Sequence, residues 1–247
     1  MAKIDIRSEM AAAVRRIGGS VIDDELRDAD FVNADYWFPD YDVIGELKCL
    51  SEDLSSSRSF NDRVSRLYAS WIERGLVPPR YGRVSVSLRD IPVECAREFL
   101  HLLKRRFEVN VLKKANAQIK GIKKHLGRPD AKGLLFLVND GNYLLPPGMV
   151  AHLLARATRG QHRSINSVIY FSASVLAAVP GISNPALFWV DGRLTDREPV
   201  PIVLRESIRS SWMSQHSALV ETPIYDVASS DPIQFENIQF RKDIARA

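Results

Sequence analysis

The chain has 247 residues, 45% of them apolar and 26% charged, with a formal net charge of +4; that is enough for one large domain, or one with an appendage, around a buried core. These ordinary values exclude a disordered tail, and no run approaches the ~18 apolar residues of a membrane span. The two cysteines, Cys49 and Cys95, are too few for a disulfide framework, and MAKIDIRSEMAAAVRR lacks the apolar core of a secretory signal, so a reducing cytoplasm is the expected setting.

Charge is unevenly distributed. Val21 to Leu54 holds eleven acidic and two basic residues, whereas Lys104 to Arg128 holds nine basic residues and one acid, Glu108. Solvated faces are the ordinary meaning of such blocks. An acidic cluster beside a basic segment is also what a metal-dependent enzyme acting on phosphate backbones requires.

Residues Ser8–Ile17 form the first expected helix, stopped by Gly18-Gly19. Phe31–Phe38 and Val43–Leu50 are expected strands, separated by Pro39-Asp40-Tyr41-Asp42. Ser59–Arg74 carries Phe60, Val64, Leu67, Tyr68 and Trp71 at helical spacing, and Val84–Leu88 suits a short strand. A long helix follows Pro92, with an apolar stripe from Ala96 through Leu103, Phe107, Val111, Ala115, Ile119 and Ile122 to Leu126. Its expected break is Val109-Asn110-Val111, a pair of β-branched residues around an asparagine. Gly133–Asn139, Ser167–Ser172 and Ala186–Val190 are expected buried strands, Pro147–Thr158 and Leu204–Ala218 helices. Strands alternating with helices after an antiparallel hairpin indicate a three-layer α/β sheet protein.

The hairpin carries the chemistry. With the turn centred on Pro39–Asp42, Phe38 faces Val43 and Asp35 faces Glu46, and opposed residues share a face. The period of two adds Lys48 beside Glu46 and Asn33 beside Asp35. Two opposed carboxylates repel; a divalent cation between them removes the penalty, and one or two carboxylates with waters and phosphate suit Mg²⁺. A different register brings Asp40 or Asp42 toward Glu46 instead.

Asp35, then Glu46-Leu47-Lys48 on the next strand, resembles the PD-(D/E)xK (restriction-endonuclease-like) nuclease superfamily. The literal Pro-Asp pair, Pro39-Asp40, falls in the turn. The resemblance implies a three-layer α/β/α core over residues 1–180, with 181–247 as an extension packed on it. It implies Mg²⁺ (or Mn²⁺) held by Asp35 and Glu46, with Lys48 assisting the attacking water in phosphodiester hydrolysis. It also implies a polar residue on a following helix that faces the site: Gln118 and Lys120 are the candidates, about 200° apart around a helix, and Gln118 borders the apolar stripe. Lys114, Lys120, Lys123 and Lys124 are then the expected contacts to DNA phosphates, and Glu9 or Glu25 could add an acidic ligand.

The expected function is Mg²⁺-dependent DNA hydrolysis in restriction, repair or defence. The alternative is a non-catalytic nucleic-acid-binding or assembly module with the same sheet. A homodimer and a targeting or defence partner protein both fit this chemistry. The five histidines lack HExxH spacing, so zinc is not expected. GxSxG, GxxxxGK[ST] and GxGxxG are absent, as is any base-reading motif. Asn139-Asp140-Gly141-Asn142 suits a tight turn, and Cys49 is assigned to the core.

Overall fold

Two runs of almost uninterrupted apolar residues, Leu134–Val138 and Val168–Phe171, can be satisfied only by burial on both faces. They form β4 (Lys132–Asn139) and β5 (Ser167–Ser172), whose described side chains are nearly all buried. The structure, a computed structural model, describes residues 5–25, 34–82, 87–157, 161–178, 187–193, 197–220 and 239–240. Phe31–Asn33, most of the expected Val84–Leu88 strand and Thr158 lie outside those residues.

The central sheet has six strands, in the order β1 (Ser20–Val21), β2 (Tyr36–Phe38), β3 (Val43–Leu50), β4, β5 and β7 (Trp189–Arg193). β3, β4 and β5 are parallel, and β1, β2 and β7 run antiparallel to their neighbours. The sheet is therefore mixed and does begin in an antiparallel hairpin. A separate two-residue ladder joins β6 (Ala177–Ala178) to β8 (Gln239–Phe240).

Helices cover both faces. α1 (Ile6–Arg16) starts on Asp5, whose carboxylate accepts from the Arg7 and Ser8 N–H groups, leaving fewer unpaired donors in the first turn. It packs Met10, Ala13 and Val14 against Phe38, Val43, Leu47 and Phe136, and α7 (Ile202–Val220) completes that layer with Leu204, Ile208 and Trp212. The short α2 (Ile22–Glu25) follows β1. The opposite face is filled from α4 (Val93–Phe107), α5 (Lys113–His125) and α6 (Pro147–Ala157), with Leu103, Ile119, Ile122 and Leu153 against Ile44, Leu135 and Leu137. α3 (Arg58–Glu73) meets α4 around Trp71 and Cys95. Among the described residues no helix is long and apolar enough to cross a membrane.

Residues beyond 180 do more than pack on a finished core. β7 is an edge strand of the central sheet and α7 part of its covering layer, so a boundary at 180 would divide one hydrophobic unit. Glu9, on α1, is buried with its carboxylate 3.0 Å from His216 Nδ1 of α7. The other ring nitrogen faces the Ala173 carbonyl at 2.9 Å.

The long helix breaks where expected. Between α4 and α5, Glu108–Leu112 form a single π turn. The buried positions 103, 107, 111, 115 and 119 recur every four residues, and on an ideal helix of 100° per residue such a row drifts by about 40° per step. One wider turn absorbs much of that drift and keeps the stripe on the sheet.

Gly133 shows how close the layers are. A Cβ there would overlap the Ser164 carbonyl oxygen and touch Ile119. Gly133→Ala is expected to cost about 2–4 kcal/mol in urea unfolding, because backbone rather than a movable side chain must give way.

Candidate active site

The expected hairpin register holds for three pairs, Phe38–Val43, Trp37–Ile44 and Tyr36–Gly45. It then breaks. The Gly45 carbonyl, already opposite Tyr36, accepts the Asp35 N–H at 3.1 Å, so two residues of one strand oppose one of the other, as in a β-bulge. Asp35 therefore does not stand directly across from Glu46, as simple alternation requires. Both oxygens of its carboxylate are engaged. One oxygen, Oδ2, accepts the Leu47 N–H at 2.7 Å, and Oδ1 accepts from Arg7 Nη1 of α1 at 2.9 Å.

Glu46 is 1% exposed. Its Oε1 accepts from Lys48 Nζ at 2.5 Å, while its Oε2 is buried with no hydrogen-bond partner. Burial, and then the negative charge of Asp35, push its carboxyl up to about 8, against the downward pull of Lys48. Lys48 reaches the same face two residues on, and its ammonium also donates to Gln118 Oε1 of α5 at 2.6 Å. Asp35, Glu46, Lys48 and Gln118 are thus one constellation: two carboxylates, a lysine between a carboxylate and an amide, and one buried oxygen without a donor.

Lys48 opens toward solvent at the carboxyl end of β3, where open α/β sheets place ligands. A cavity of about 210 Å³ there is lined by Lys48, Cys49, Glu52, Arg106, Asn110 and Asn142. Cys49, assigned to the core from alternation, is exposed. The Asn139–Asn142 turn is tight, as expected: Asn139 Oδ1 accepts the Asn142 N–H at 2.8 Å, and Asn142 Nδ2 donates to the Glu52 carbonyl at 2.9 Å. It fixes the wall of the cavity.

The other expected site residues fall elsewhere. Asp40 is exposed in the 3-10 turn Pro39–Tyr41. With Asp42 it lies at the start of β3, and Asp42 is four residues from Glu46, roughly 13 Å along a strand. Lys114 lies one turn before Gln118 and is exposed. Lys120 is exposed about 200° around the helix from Gln118. Lys123 and Lys124 lie farther along, toward the start of the strands. Burial lowers the Lys123 pKa while Asp130 and Asp42 oppose that shift, so its surroundings are those of the opposite end of β3. Glu9 is engaged by His216, and the Glu25 side chain lies outside the described residues. Among the described residues no group of three or more His, Cys, Asp or Glu side chains could hold a metal ion; a site here has two carboxylates. Sequence reasoning missed Arg7 and Arg106, since nothing in the local pattern of an amphipathic helix marks one polar-face arginine over another.

No family model matches the chain, and no curated protein or solved structure matches it either.

Proposed function

We propose that the chain is a metal-dependent phosphodiesterase of the PD-(D/E)xK type, hydrolysing nucleic acid, with DNA as the leading substrate. The observation that carries this reading is the buried, partnerless Oε2 of Glu46 beside Asp35 and Lys48. Ionising that buried carboxyl against the Asp35 carboxylate is costly, which is why it holds its proton up to about 8, and a divalent cation between the two would remove the cost. The sheet adds support: an antiparallel hairpin followed by parallel strands, with helices on both faces, has the order that a restriction-endonuclease-like core requires.

Asp35 and Glu46 are the residues that would hold Mg²⁺ or Mn²⁺, two carboxylates being a donor set that suits a hard cation with waters and phosphate beside it. When bound, the cation would polarise a phosphate oxygen and acidify a water. Lys48 has the geometry to hold the attacking water and to meet the negative charge that grows on the phosphate oxygens. Gln118 limits the directions in which that ammonium can point. Arg7 holds Asp35 in place through one oxygen, and the Leu47 N–H holds it through the other.

The test is cleavage of plasmid and single-stranded DNA with Mg²⁺ or Mn²⁺, with EDTA, and with Glu46→Ala. Metal-dependent cutting by the wild type that disappears in EDTA and in the variant is the expected result. Binding that needs no metal, with no cutting under any condition and unchanged in Glu46→Ala, would leave the non-catalytic binding module as the better reading.

A further inference from the structure

Between α3 and α4 runs an open groove of about 1200 Å³ that no part of the catalytic constellation uses. Five arginines line it: Arg63 and Arg66 from α3, Arg97, Arg105 and Arg106 from α4. Residues three or four apart share a helix face, which aligns Arg63 with Arg66, and Arg97 with Arg105 across two turns. Four of the five are exposed, Arg106 only partly. Among the described residues none of them forms an ion pair. The one carboxylate lining the groove, Glu98, is already committed to Trp71 Nε1 and Arg74, each at 2.8 Å.

A convex basic face is commonly just solvated. Here the charges face one another across a concavity, where like charges repel and a low-dielectric wall focuses their field on an anion. They are also arginines, the side chain whose planar fork suits phosphate. Arg106 has its guanidinium carbon 5.6 Å from the centre of the Phe60 ring, which restrains where that charge sits. The groove is continuous with the site. Arg106 and Asn110 line both it and the smaller cavity that contains Lys48.

We infer that the α3–α4 groove is the track along which a nucleic-acid phosphodiester backbone lies on its way to Lys48. The track's purpose rests on the phosphodiesterase reading above, but its binding does not. It places the principal phosphate contacts on Arg63, Arg66, Arg97, Arg105 and Arg106, rather than on Lys120, Lys123 and Lys124.

Fluorescence anisotropy separates the two sets. A labelled 20-base-pair duplex and a labelled 20-nucleotide single strand are titrated with protein in EDTA, where nothing is cut, over a range of salt. The full-length wild type is compared with Arg63→Gln/Arg66→Gln/Arg97→Gln/Arg105→Gln and with Lys120→Gln/Lys123→Gln/Lys124→Gln. The arginine variant is expected to lose at least about 30-fold in affinity, and its salt slope to fall by about three to four, close to one per phosphate contact removed. The lysine variant is expected to stay within about threefold of wild type, as for distant surface charges. Because all four substituted arginines are on the surface, the arginine variant should keep the wild-type melting temperature.

Equal losses in the two variants, or a larger loss in the lysine variant, would overturn the assignment. So would polyglutamate competing as well as DNA at equal charge, since the groove would then be a site for an acidic polypeptide. Cleavage assays with Mg²⁺ distinguish failure of the track from failure of the reading it serves. Binding through the arginines without cutting discards the phosphodiesterase; cutting by the arginine variant at unchanged KM discards the track.

Discussion

Replacing Lys48 by alanine is expected to lower metal-dependent strand cleavage by about 10²–10³-fold, the usual cost of removing one group that stabilises transition-state charge. The ammonium sits between Glu46 Oε1 at 2.5 Å and Gln118 Oε1 at 2.6 Å, and among the described residues no other amine is held in that place. The loss should fall on kcat, with DNA affinity in EDTA nearly unchanged, because the proposed track places the phosphate contacts on the groove arginines. Lys48→Arg should not rescue it: a planar fork cannot occupy the point between a carboxylate and an amide that a compact ammonium fills. Single-turnover cleavage with saturating enzyme separates these effects. A Lys48→Ala protein that cuts at the wild-type rate would remove Lys48 from the chemistry.

Glu46→Gln should make the metal-free protein more stable in mild base. With the native carboxyl near 8 and a free glutamate near 4.5, the folded state holds a proton between those values that the unfolded state has released. Stability is then full below about pH 4.5 and declines as pH rises toward 8, because the slope follows the difference in bound protons. With Glu46 1% exposed, solvent does little to soften the loss, which is on the order of a few kcal/mol. Glutamine keeps the shape and has no charge to bury. Urea unfolding in EDTA at pH 5 and pH 9 should show the wild type losing that amount relative to the variant. Parallel declines in the two proteins would mean that Glu46 ionises in the fold at little cost. Mg²⁺ added at pH 9 should restore the wild type and leave Glu46→Gln unaffected.

Much of the constellation was legible because it depends on periodicity. The strand period places Glu46 and Lys48 together, and the helix period chooses Gln118 over Lys120; both follow from local geometry that neighbouring elements do not alter. The place of the π turn at Glu108–Leu112 was legible in the two β-branched residues at the expected break, whereas its kind, a wider turn in a continuing helix, was not. Other features escaped. The slip at Asp35 is set by how β1 and β3 compete for one strand: the Asp35 carbonyl accepts from Ile22 while its N–H serves Gly45, and no window of sequence contains both partners. Cys49 follows the alternation but is exposed near the carboxyl end of β3. Arg7 and Arg106 occupy ordinary polar faces of their helices. What makes them relevant is the element each faces, a fact of tertiary structure alone.

The wider turn at Glu108–Leu112 also works as an indexing joint. Upstream of it the helix presents Arg105 and Arg106 to the groove; downstream, Gln118 meets Lys48. In an unbroken α-helix these side chains would be locked at one relative angle, and each added or deleted residue would rotate one set by about 100° against the other. A joint that accommodates the odd residue uncouples the two halves. Side chains on α4 can therefore be revised while the Gln118 amide on α5 keeps its bearing on Lys48.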